Sequence, residues 1–429
     1  MSPRVAIVGA GVSGLVAARE LHRAGHEIAV FEAGDHHGGH VNTVRVETEA
    51  GAWDVDTGFI VFNDRNYPNF ERLLAELGVA SQPSTMSFSV ADEAGDFEFS
   101  TRPLGLFAKG SHIVDPRFHR MLYELVRFFR EARGLVGANG SGPSVESFLS
   151  DRGYSRYFVE RLIVPQAAAV WSADPAQMES FPASFLAEFL DNHGALQLLG
   201  RPRWRSIAGG ARRYVEALIE PFADRVHTRT PARSIRRDGG SVSIELDDGS
   251  ERFDEVVIAT HSDQALALLA DPSDAEREVL GAIPYKRNEA VLHTDTGLMP
   301  RRRAAWASWN FHLTERPTGT TTVTYDMNRL QSLISERRFL VTLNQSARID
   351  PRRVIRSFEY SHPVFTPEGI AAQHRWGELS GARRTHFCGA YWRWGFHEDG
   401  VWSALRACER MGALERAREP LVAAPALAA

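Results

Sequence analysis

The residues that first suggest chemistry are three glycines, Gly9, Gly11 and Gly14, spaced Gly-x-Gly-x-x-Gly. They follow the apolar run 5–8, which predicts a strand, and they open a segment whose apolar residues have helical spacing. Such a turn lets the backbone approach a pyrophosphate, which lies against the free N–H groups at the positive end of the helix. The spacing alone is a weak signal, but its place between a strand and a helix predicts a dinucleotide site.

A carboxylate strengthens this prediction. Glu32 ends a second apolar run, 28–31, and can accept hydrogen bonds from both hydroxyls of an adenosine ribose. Strand, glycine turn, helix, strand and carboxylate together form the first unit of a dinucleotide-binding fold. The sequence shows one such unit, and the rest of that fold arrives in later pieces. A dinucleotide held by separated pieces stays bound, which favours FAD over NAD.

The elements that must position these residues are of two kinds. Strands are predicted in two pairs, 44–48 with 53–56 and 242–246 with 256–260, each joined by a glycine-containing turn. Predicted helices at 67–77, 116–135, 145–161 and 176–192 lie between the two pairs. We therefore predict an α/β fold in which a Rossmann-type FAD-binding domain is interleaved with an α+β substrate domain of mixed sheet and helices. The predicted FAD-binding parts are 1–80, 205–284 and 375–418, the substrate parts are 81–204 and 285–374, and 419–429 is predicted to be a disordered tail.

The composition excludes several function classes. The 429 residues suffice for two or three domains, and a formal charge of −5 gives no reason to expect nucleic acid as a partner. Cys388 and Cys408 suit a reducing compartment, and neither they nor the scattered histidines predict a metal site. The first strand begins too early for a signal peptide and no apolar run reaches the length of a membrane span, so we predict a cytoplasmic protein.

One predicted helix leaves two interpretations open. Phe118, Leu122, Leu125, Val126 and Phe129 share one of its faces, with basic residues opposite. This face either packs on the protein's own core or makes a peripheral contact with the inner face of a membrane.

The pieces together resemble the flavoprotein superfamily of amine oxidases, phytoene desaturases and protoporphyrinogen oxidases, over nearly the whole chain. Gly38 and Gly39 are similar to the superfamily's second glycine pair, and the run 387–405 is similar to its C-terminal flavin motif. The resemblance implies that a helix N-terminus near Gly400 and Val401 points N–H groups at the flavin, where reduction adds negative charge.

Longer motifs resemble one bacterial branch of this superfamily. They include FLDNHG at 189–194, IAGGARRYV at 207–215, WASWN at 306–310 and CGAYWRWGFHEDG at 388–400. Members of that branch accompany cyclopropane-fatty-acyl synthases. The resemblance therefore implies a hydrophobic or lipid substrate, and a fatty-acyl methyltransferase as a functional partner.

The chain also departs from its better-known relatives. Ala290 falls where amine oxidases usually carry a lysine near flavin N5, which argues against amine oxidation. His40 replaces the arginine that follows the second glycine pair, and Ala390 replaces the acid that binds a ribityl hydroxyl. The ribityl contact must then come from elsewhere or from the backbone.

In the C-terminal loop, His397 is the residue that we predict to act near the flavin, because amine oxidases place a ring of their aromatic cage there. An imidazole can orient substrate or move a proton, and support of the loop is the open alternative. Tyr391, Trp392 and Trp394 are predicted to wall the pocket. Asp399 either acts as an acid or caps the following helix.

The predicted catalytic or pocket residues are His397, Trp392, Trp394 and Tyr391. The residues predicted to bind the cofactor are Gly9, Gly11, Val12, Ser13, Gly14, Glu32, Ala33, Gly38, Gly39, His40, Thr43, Thr57, Gly58, Phe59, Ile60, Ala232, Thr260, Gly389, Asp399, Gly400 and Val401.

From these observations we predict an FAD-dependent oxidoreductase. It would take hydride from a substrate C–H bond to flavin N5, giving a C=C bond or shifting one, and the implied substrate is a fatty acyl chain. Two alternatives stay open. One is a flavin amine oxidase that makes imine and hydrogen peroxide, and the other is a non-catalytic flavin-binding partner of a lipid methyltransferase.

Overall fold

The computed structural model describes residues 3–137, 142–197, 200–316 and 318–414. The predicted tail, 419–429, lies outside these ranges. In chain order the strands are β1 (Arg4–Val8), β2 (Glu27–Phe31), β3 (Thr43–Thr48), β4 (Gly51–Asp56), β5 (Phe62–Asn63), β6 (Ser81–Pro83), β7 (Phe88–Asp92), β8 (Glu98–Ser100), β9 (Trp204–Ile207), β10 (Val226–His227), β11 (Ser234–Arg237), β12 (Val242–Leu246), β13 (Gly249–Phe253), β14 (Glu255–Ile258), β15 (Tyr285–His293), β16 (Trp309–Leu313), β17 (Val323–Asp326), β18 (Leu340–Leu343), β19 (Val354–Pro363) and β20 (Thr385–Phe387).

The α-helices are α1 (Val12–Arg23), α2 (Pro68–Glu76), α3 (Pro116–Ala132), α4 (Val145–Asp151), α5 (Arg156–Phe158), α6 (Val164–Trp171), α7 (Pro175–Met178), α8 (Ala183–Asn192), α9 (Arg212–Ile219), α10 (Ser262–Leu268), α11 (Asp274–Gly281), α12 (Met327–Leu330), α13 (Pro367–Gln373), α14 (Trp376–Leu379) and α15 (His397–Arg410). Within the described ranges, no helix is both long and apolar enough to cross a membrane.

A five-stranded parallel sheet, in the order β10-β2-β1-β14-β20, draws its strands from distant parts of the chain. Strand β1 lies in the middle and pairs with β2 on one side and with β14 on the other. Val5, Ala6 and Ile7 are fully buried, because helices pack on both faces of the sheet. The carboxyl ends of the strands meet at one edge, which is where open α/β sheets bind their ligands.

A second, seven-stranded sheet has the order β19-β15-β18-β17-β16-β7-β8. Its strands pair antiparallel except for β16 with β7, which is parallel. Residues Leu292, Tyr325 and Val341 on one face share an apolar core with the hairpin of β3 and β4. This sheet therefore packs directly beside the loops that follow the glycine turn.

The helices α3 to α8 share another apolar core, and their boundaries differ from two predictions. The predicted helix 145–161 is interrupted after Asp151, because Gly153 adopts a left-handed φ of +67°. The predicted helix 176–192 is divided into α7, which ends at Met178, and α8, which begins at Ala183, because Pro182 has no N–H to continue a helix through it.

Helix α3 faces the core of its own domain. Phe118 is buried, and Leu122, Leu125 and Phe129 pack against the same core. Val126 is 54% exposed, so its predicted place on that face is wrong. It lies one residue, about 100° around the helix, from Leu125.

The two ends of the described chain pack together through α1 and α15. A Cβ on Gly400 would lie 2.8 Å from Cγ1 of Val12 and 2.9 Å from Oγ of Ser13. Further along the two helices, Sγ of Cys408 in α15 lies 3.7 Å from the carbonyl oxygen of Ala17 in α1. This close approach brings the N-termini of both helices to one edge of the parallel sheet.

Candidate active site

The glycine turn after β1 has the geometry of an anion site. Gly9 adopts a φ of +102°, and a Cβ on Gly14 would lie 1.9 Å from the carbonyl oxygen of Gly9. Helix α1 starts after Gly11, without a capping side chain and without an acid in its first turn. A Cβ on Gly11 would meet nothing within 4 Å. The first N–H groups of α1 therefore face open space, which fits a pyrophosphate.

The second glycine pair lies directly on this turn. Gly38 forms a bridge with Gly11 and donates its N–H to the carbonyl oxygen of Ala10 at 2.7 Å. A Cβ on Gly39 would lie 3.1 Å from the Cα of Gly11. Backbone from two separate segments thus comes together at one place, and a side chain at Gly39 would push the two segments apart.

The carboxylate of Glu32 is held in place by backbone. Its Oε2 accepts the N–H of Ala10 at 2.8 Å, and its Oε1 accepts the N–H of Gly34 at 2.7 Å. Each carboxylate oxygen can accept a further hydrogen bond. The fixed carboxylate fits the predicted contact with ribose hydroxyls.

One continuous cavity of about 1600 Å³ joins the glycine turn to the helices α3, α6 and α8 and to the seven-stranded sheet. Pockets for a single drug-sized ligand usually measure about 300–1,000 Å³, so this cavity has room for a dinucleotide and a second molecule. The predicted site residues that line it are Gly9, Gly11, Val12, Ser13, Glu32, Ala33, Gly38, Gly39, His40, Thr57, Gly58, Phe59, Ile60, Ala232, Thr260, Gly389, Tyr391, Trp394 and His397.

Several polar atoms on the cavity wall are buried without a hydrogen-bond partner. Within the described part of the chain they include Nε2 of His40, Nε1 of Trp171, Trp309 and Trp394, Oη of Tyr391 and Oγ of Ser84. Buried polar groups in folded proteins are nearly always paired. These atoms, together with the open N–H groups of α1, fit a cavity that binds polar parts of a ligand.

Comparison with protein families decides the assignment. The family model described as flavin containing amine oxidoreductase matches residues 12–412. The chain belongs to this family. Membership confirms the predicted superfamily, the α/β fold class, FAD as the cofactor and the prediction of a flavin-dependent oxidoreductase.

Relatives within the family differ in chemistry. The chain is 28% identical to the carotenoid phi-ring synthase of Streptomyces griseus, over 68% of this chain and 58% of that protein. The chain covers 24% of the length of a flavin-containing monooxygenase (FMO GS-OX-like 7) from Arabidopsis thaliana and 65% of the length of a putative flavin-containing monoamine oxidase from Mycobacterium tuberculosis. The alignments therefore leave part of each relative uncovered.

Two solved structures share the fold over almost the whole chain. Cyclohexylamine oxidase from Brevibacterium oxydans has a TM-score of 0.70 at 17% identity, covering 96% of this chain and 100% of that one. The CLA-producing fatty acid isomerase from P. acnes has a TM-score of 0.67 at 16% identity, covering 95% and 98%. Amine and acyl substrates thus occur on the same architecture.

His397, the predicted catalytic residue of this family member, lines the cavity but is held tightly. Its ring stacks on Phe59 with centroids 3.8 Å apart, and its Nε2 lies 2.5 Å from Oη of Tyr214. Burial lowers the pKa of His397 to about 3, so the ring is neutral at neutral pH. Sequence reasoning missed Tyr214, although it belongs to the IAGGARRYV motif.

Three of the predicted cofactor residues do not line the cavity and serve helix packing instead. Gly14 and Gly400 permit close approach, the first of α1 to the turn after β1 and the second of α15 to α1. Val401 is 1% exposed within the core beneath the parallel sheet. These positions serve to place the two helices, and the predicted contact of backbone N–H groups near Gly400 and Val401 with the flavin stays a prediction.

Three further predicted residues also lie off the cavity. Thr43 donates its hydroxyl to Asp56 at 2.6 Å within the β3–β4 hairpin. Trp392 packs in the core on the other face of the parallel sheet and is not among the described residues that line the cavity, so the structure does not place it on the predicted pocket wall. Asp399 accepts the N–H of Phe396 at 2.9 Å, which is the helix-capping role left open above.

Sequence reasoning also missed a group of aromatic residues around His40. Its ring stacks on Tyr360 at 5.2 Å and lies 5.5 Å from His362 and 6.1 Å from His261. Burial, and then the nearby imidazoles, lower the pKa of His40 to about 3. These neutral rings occupy the place where the superfamily's arginine was expected. Among the described residues, no group of side chains could hold a metal ion.

Proposed function

We propose that this flavoprotein acts on a C–H bond of a hydrophobic acyl chain, by desaturation or by shifting a double bond. The observation that carries the proposal is the character of the cavity beyond the dinucleotide end. Its walls there are mostly apolar and aromatic, and among the described residues that line the cavity the only carboxylate is Glu32, at the ribose end. A charged amine would find no counter-ion in such a cavity.

Bound FAD supplies the two-electron acceptor for such a reaction. The residues of this chain align the substrate and exclude water. Phe88, Phe99, Trp171, Phe189 and Phe365 line the cavity and come from both the helices and the strands of the substrate side. Side chains of this size hold an unbranched chain by contact area.

Two features weaken the amine oxidase alternative. Ala290 is fully buried in strand β15, within an apolar cluster that includes Leu292 and Leu343, so no amino group takes that position. No lysine is found among the described residues that line the cavity. Because the chain shares its fold with cyclohexylamine oxidase, the experiment below also includes amine substrates.

The test is anaerobic incubation of the FAD-loaded protein with a bacterial acyl-lipid extract. We expect loss of the flavin absorbance band for a desaturation, or an unchanged band with a moved double bond for a shift. Mass spectrometry of the recovered lipids distinguishes the two. A second, aerobic arm uses a panel of alkylamines, because O2 must reoxidise the reduced flavin before hydrogen peroxide can form. Imine and hydrogen peroxide in that arm, with unchanged lipids, would replace this proposal by amine oxidation. Inert lipids and inert amines would favour the non-catalytic flavin-binding partner.

Two partners belong to the same proposal. The resemblance to proteins that accompany cyclopropane-fatty-acyl synthases supports a fatty-acyl methyltransferase as the functional partner. Leu104 and Val114, 82% and 79% exposed, support peripheral contact with a membrane that supplies the acyl chain. Co-sedimentation with lipid vesicles tests this contact, and Leu104→Ser with Val114→Ser should reduce it.

A further inference from the structure

Three arginines line the cavity at a single place. Arg201, Arg203 and Arg205 belong to a short segment that runs into strand β9, with Pro202 and Trp204 between them. The turn that ends α8 supports this segment, since a Cβ on Gly194 would lie 2.4 Å from Cδ of Pro202.

Among the described residues, no carboxylate lies within hydrogen-bond distance of these three guanidinium groups, and Asp64 is the carboxylate paired with one of them at a longer distance. Nε of Arg201 donates to the carbonyl oxygen of Gln197 at 2.9 Å, and Arg205 donates to the hydroxyl and the carbonyl oxygen of Ser81. The Arg203 side chain is 88% exposed, and its Nε lies 3.9 Å from the carboxylate of Asp64. Each group therefore keeps N–H donors for a ligand.

The fourth arginine of the cavity provides an internal contrast. Arg233 donates from Nε and Nη2 to the two oxygens of Asp247, at 2.7 and 3.1 Å. This two-point pairing neutralises its charge. The positive charge of the cavity is therefore concentrated on Arg201, Arg203 and Arg205.

An aromatic row leads inward from these arginines. Trp204 stacks with His193 at 6.1 Å, His193 stacks with Phe189 at 4.0 Å, and Phe189 stacks with Phe396 at 5.2 Å. Phe396 immediately precedes His397. Burial lowers the pKa of His193 to about 4, so this row adds no charge at neutral pH. The aromatic row thus connects the arginines at the rim of the cavity with its apolar interior.

We propose that Arg201, Arg203 and Arg205 bind the anionic head group of the substrate, a carboxylate or a phosphate, while the acyl chain extends along the aromatic row. The proposal rests on the acyl-chain function above and narrows its substrate to anionic amphiphiles. Guanidinium groups suit both head groups because their N–H donors match paired oxygens. The head group lies away from the reacting carbon, so its binding should change KM more than kcat.

The experiment measures binding to the FAD-loaded protein by titration calorimetry, independently of turnover. The probes are oleate, methyl oleate, dioleoylphosphatidylglycerol vesicles and inorganic phosphate. We expect oleate to bind at least ten-fold more tightly than methyl oleate, and added salt to reduce the difference. The R201Q/R203Q variant should bind oleate about ten- to hundred-fold more weakly, with methyl oleate within two-fold of the wild type.

The matched control is R352Q/R353Q, which removes two positive charges from exposed arginines outside the cavity and should leave both affinities unchanged. FAD occupancy reports whether each variant is folded. Tighter binding of oleate than of the vesicles assigns a carboxylate head group, and the reverse order assigns a phosphate. Both results support the site, provided that inorganic phosphate alone binds far more weakly than either lipid.

Equal affinity for oleate and methyl oleate, an unaffected R201Q/R203Q variant, or inorganic phosphate binding as tightly as oleate would overturn the proposal. These outcomes are separable from the fate of the proposed function. Charge-dependent oleate binding without any turnover keeps the head-group site and removes the acyl-chain reaction. Lipid turnover with unchanged KM in R201Q/R203Q does the opposite.

Discussion

The two ends of the cavity are built in different ways. At the dinucleotide end, Gly9, Gly11 and Gly38 bring backbone N–H groups to one point, and the sites are set by local φ angles and by missing Cβ atoms. At the substrate end, side chains such as Trp171 and Phe365 arrive from elements far apart in the chain. The dinucleotide end therefore depends on the absence of side chains, and the substrate end depends on their shape.

The largest effect is expected for Gly14→Ala. The new Cβ would lie 1.9 Å from the carbonyl oxygen of Gly9, which is fixed backbone, so α1 must move away from the turn. We expect a loss of about 3 kcal/mol or more in the free energy of unfolding, and no bound FAD. Denaturant unfolding and the flavin spectrum measure both.

The control for this variant is Gly134→Ala. A Cβ there meets nothing within 4 Å, and its φ is ordinary, so stability should change by less than about 0.5 kcal/mol. If Gly14→Ala behaved like Gly134→Ala, close packing at the turn would not be what shapes the dinucleotide end.

Gly11→Ala tests the dinucleotide end in a second way, because it separates protein folding from cofactor binding. A Cβ on Gly11 touches no protein atom but projects where the pyrophosphate is expected. The variant should therefore unfold at the same denaturant concentration as the FAD-free wild type, while its affinity for FAD falls ten-fold or more. Reconstitution with FAD, followed by flavin fluorescence, gives the affinity. Full FAD affinity would contradict the placement of the pyrophosphate.

The same contrast explains what the sequence alone could predict. The turn at Gly9 and the carboxylate of Glu32 were predictable, because both belong to one recognisable strand–helix–strand unit. The pair at Gly38 was predicted from the resemblance to the superfamily, since it meets Gly11 across a gap in the sequence. The place of Trp392 was not predictable, because Tyr391 and Trp392 belong to the same apolar cluster and only the packing of the whole loop decides which of them reaches the cavity.

Long-range contacts were also beyond sequence reasoning. The pairing of Tyr214 with His397 joins residues 183 positions apart, and no spacing rule links them. Two predicted helices, 145–161 and 176–192, are interrupted at Gly153 and Pro182. Both residue types disfavour a continuous helix, but the helical periodicity on either side of them led to the prediction of uninterrupted helices. The role proposed for Arg201, Arg203 and Arg205 could not be predicted from sequence, because only the structure shows that they line the cavity.

His397→Ala tests the substrate end with a smaller effect. Because His397 lines the cavity beside Phe59, removal of its ring should leave FAD bound and slow anaerobic reduction of the flavin by an acyl substrate about ten-fold or more. Stopped-flow absorbance measures the rate. His374→Ala, at an exposed histidine outside the cavity, should leave that rate unchanged. An unchanged rate in His397→Ala would leave the ring with the loop-supporting role alone.

The smallest effect is expected for Tyr214→Phe, which removes only the hydroxyl that lies 2.5 Å from Nε2 of His397. The free energy of unfolding should fall by about 1 kcal/mol, and flavin reduction should slow less than in His397→Ala, because the ring still stacks on Phe59.

The same pair of variants tests the pH dependence of stability. His397 in the folded protein has a pKa of about 3 and binds fewer protons than in the unfolded chain, so its contribution to the free energy of unfolding is lost as pH falls from about 6.5 towards 3. Tyr214→Phe keeps the ring buried and should keep this acid sensitivity, whereas His397→Ala should lessen it. Denaturant unfolding at pH 7 and pH 5 measures the difference, and equal acid sensitivity in all three proteins would show that His397 is not buried as a neutral ring.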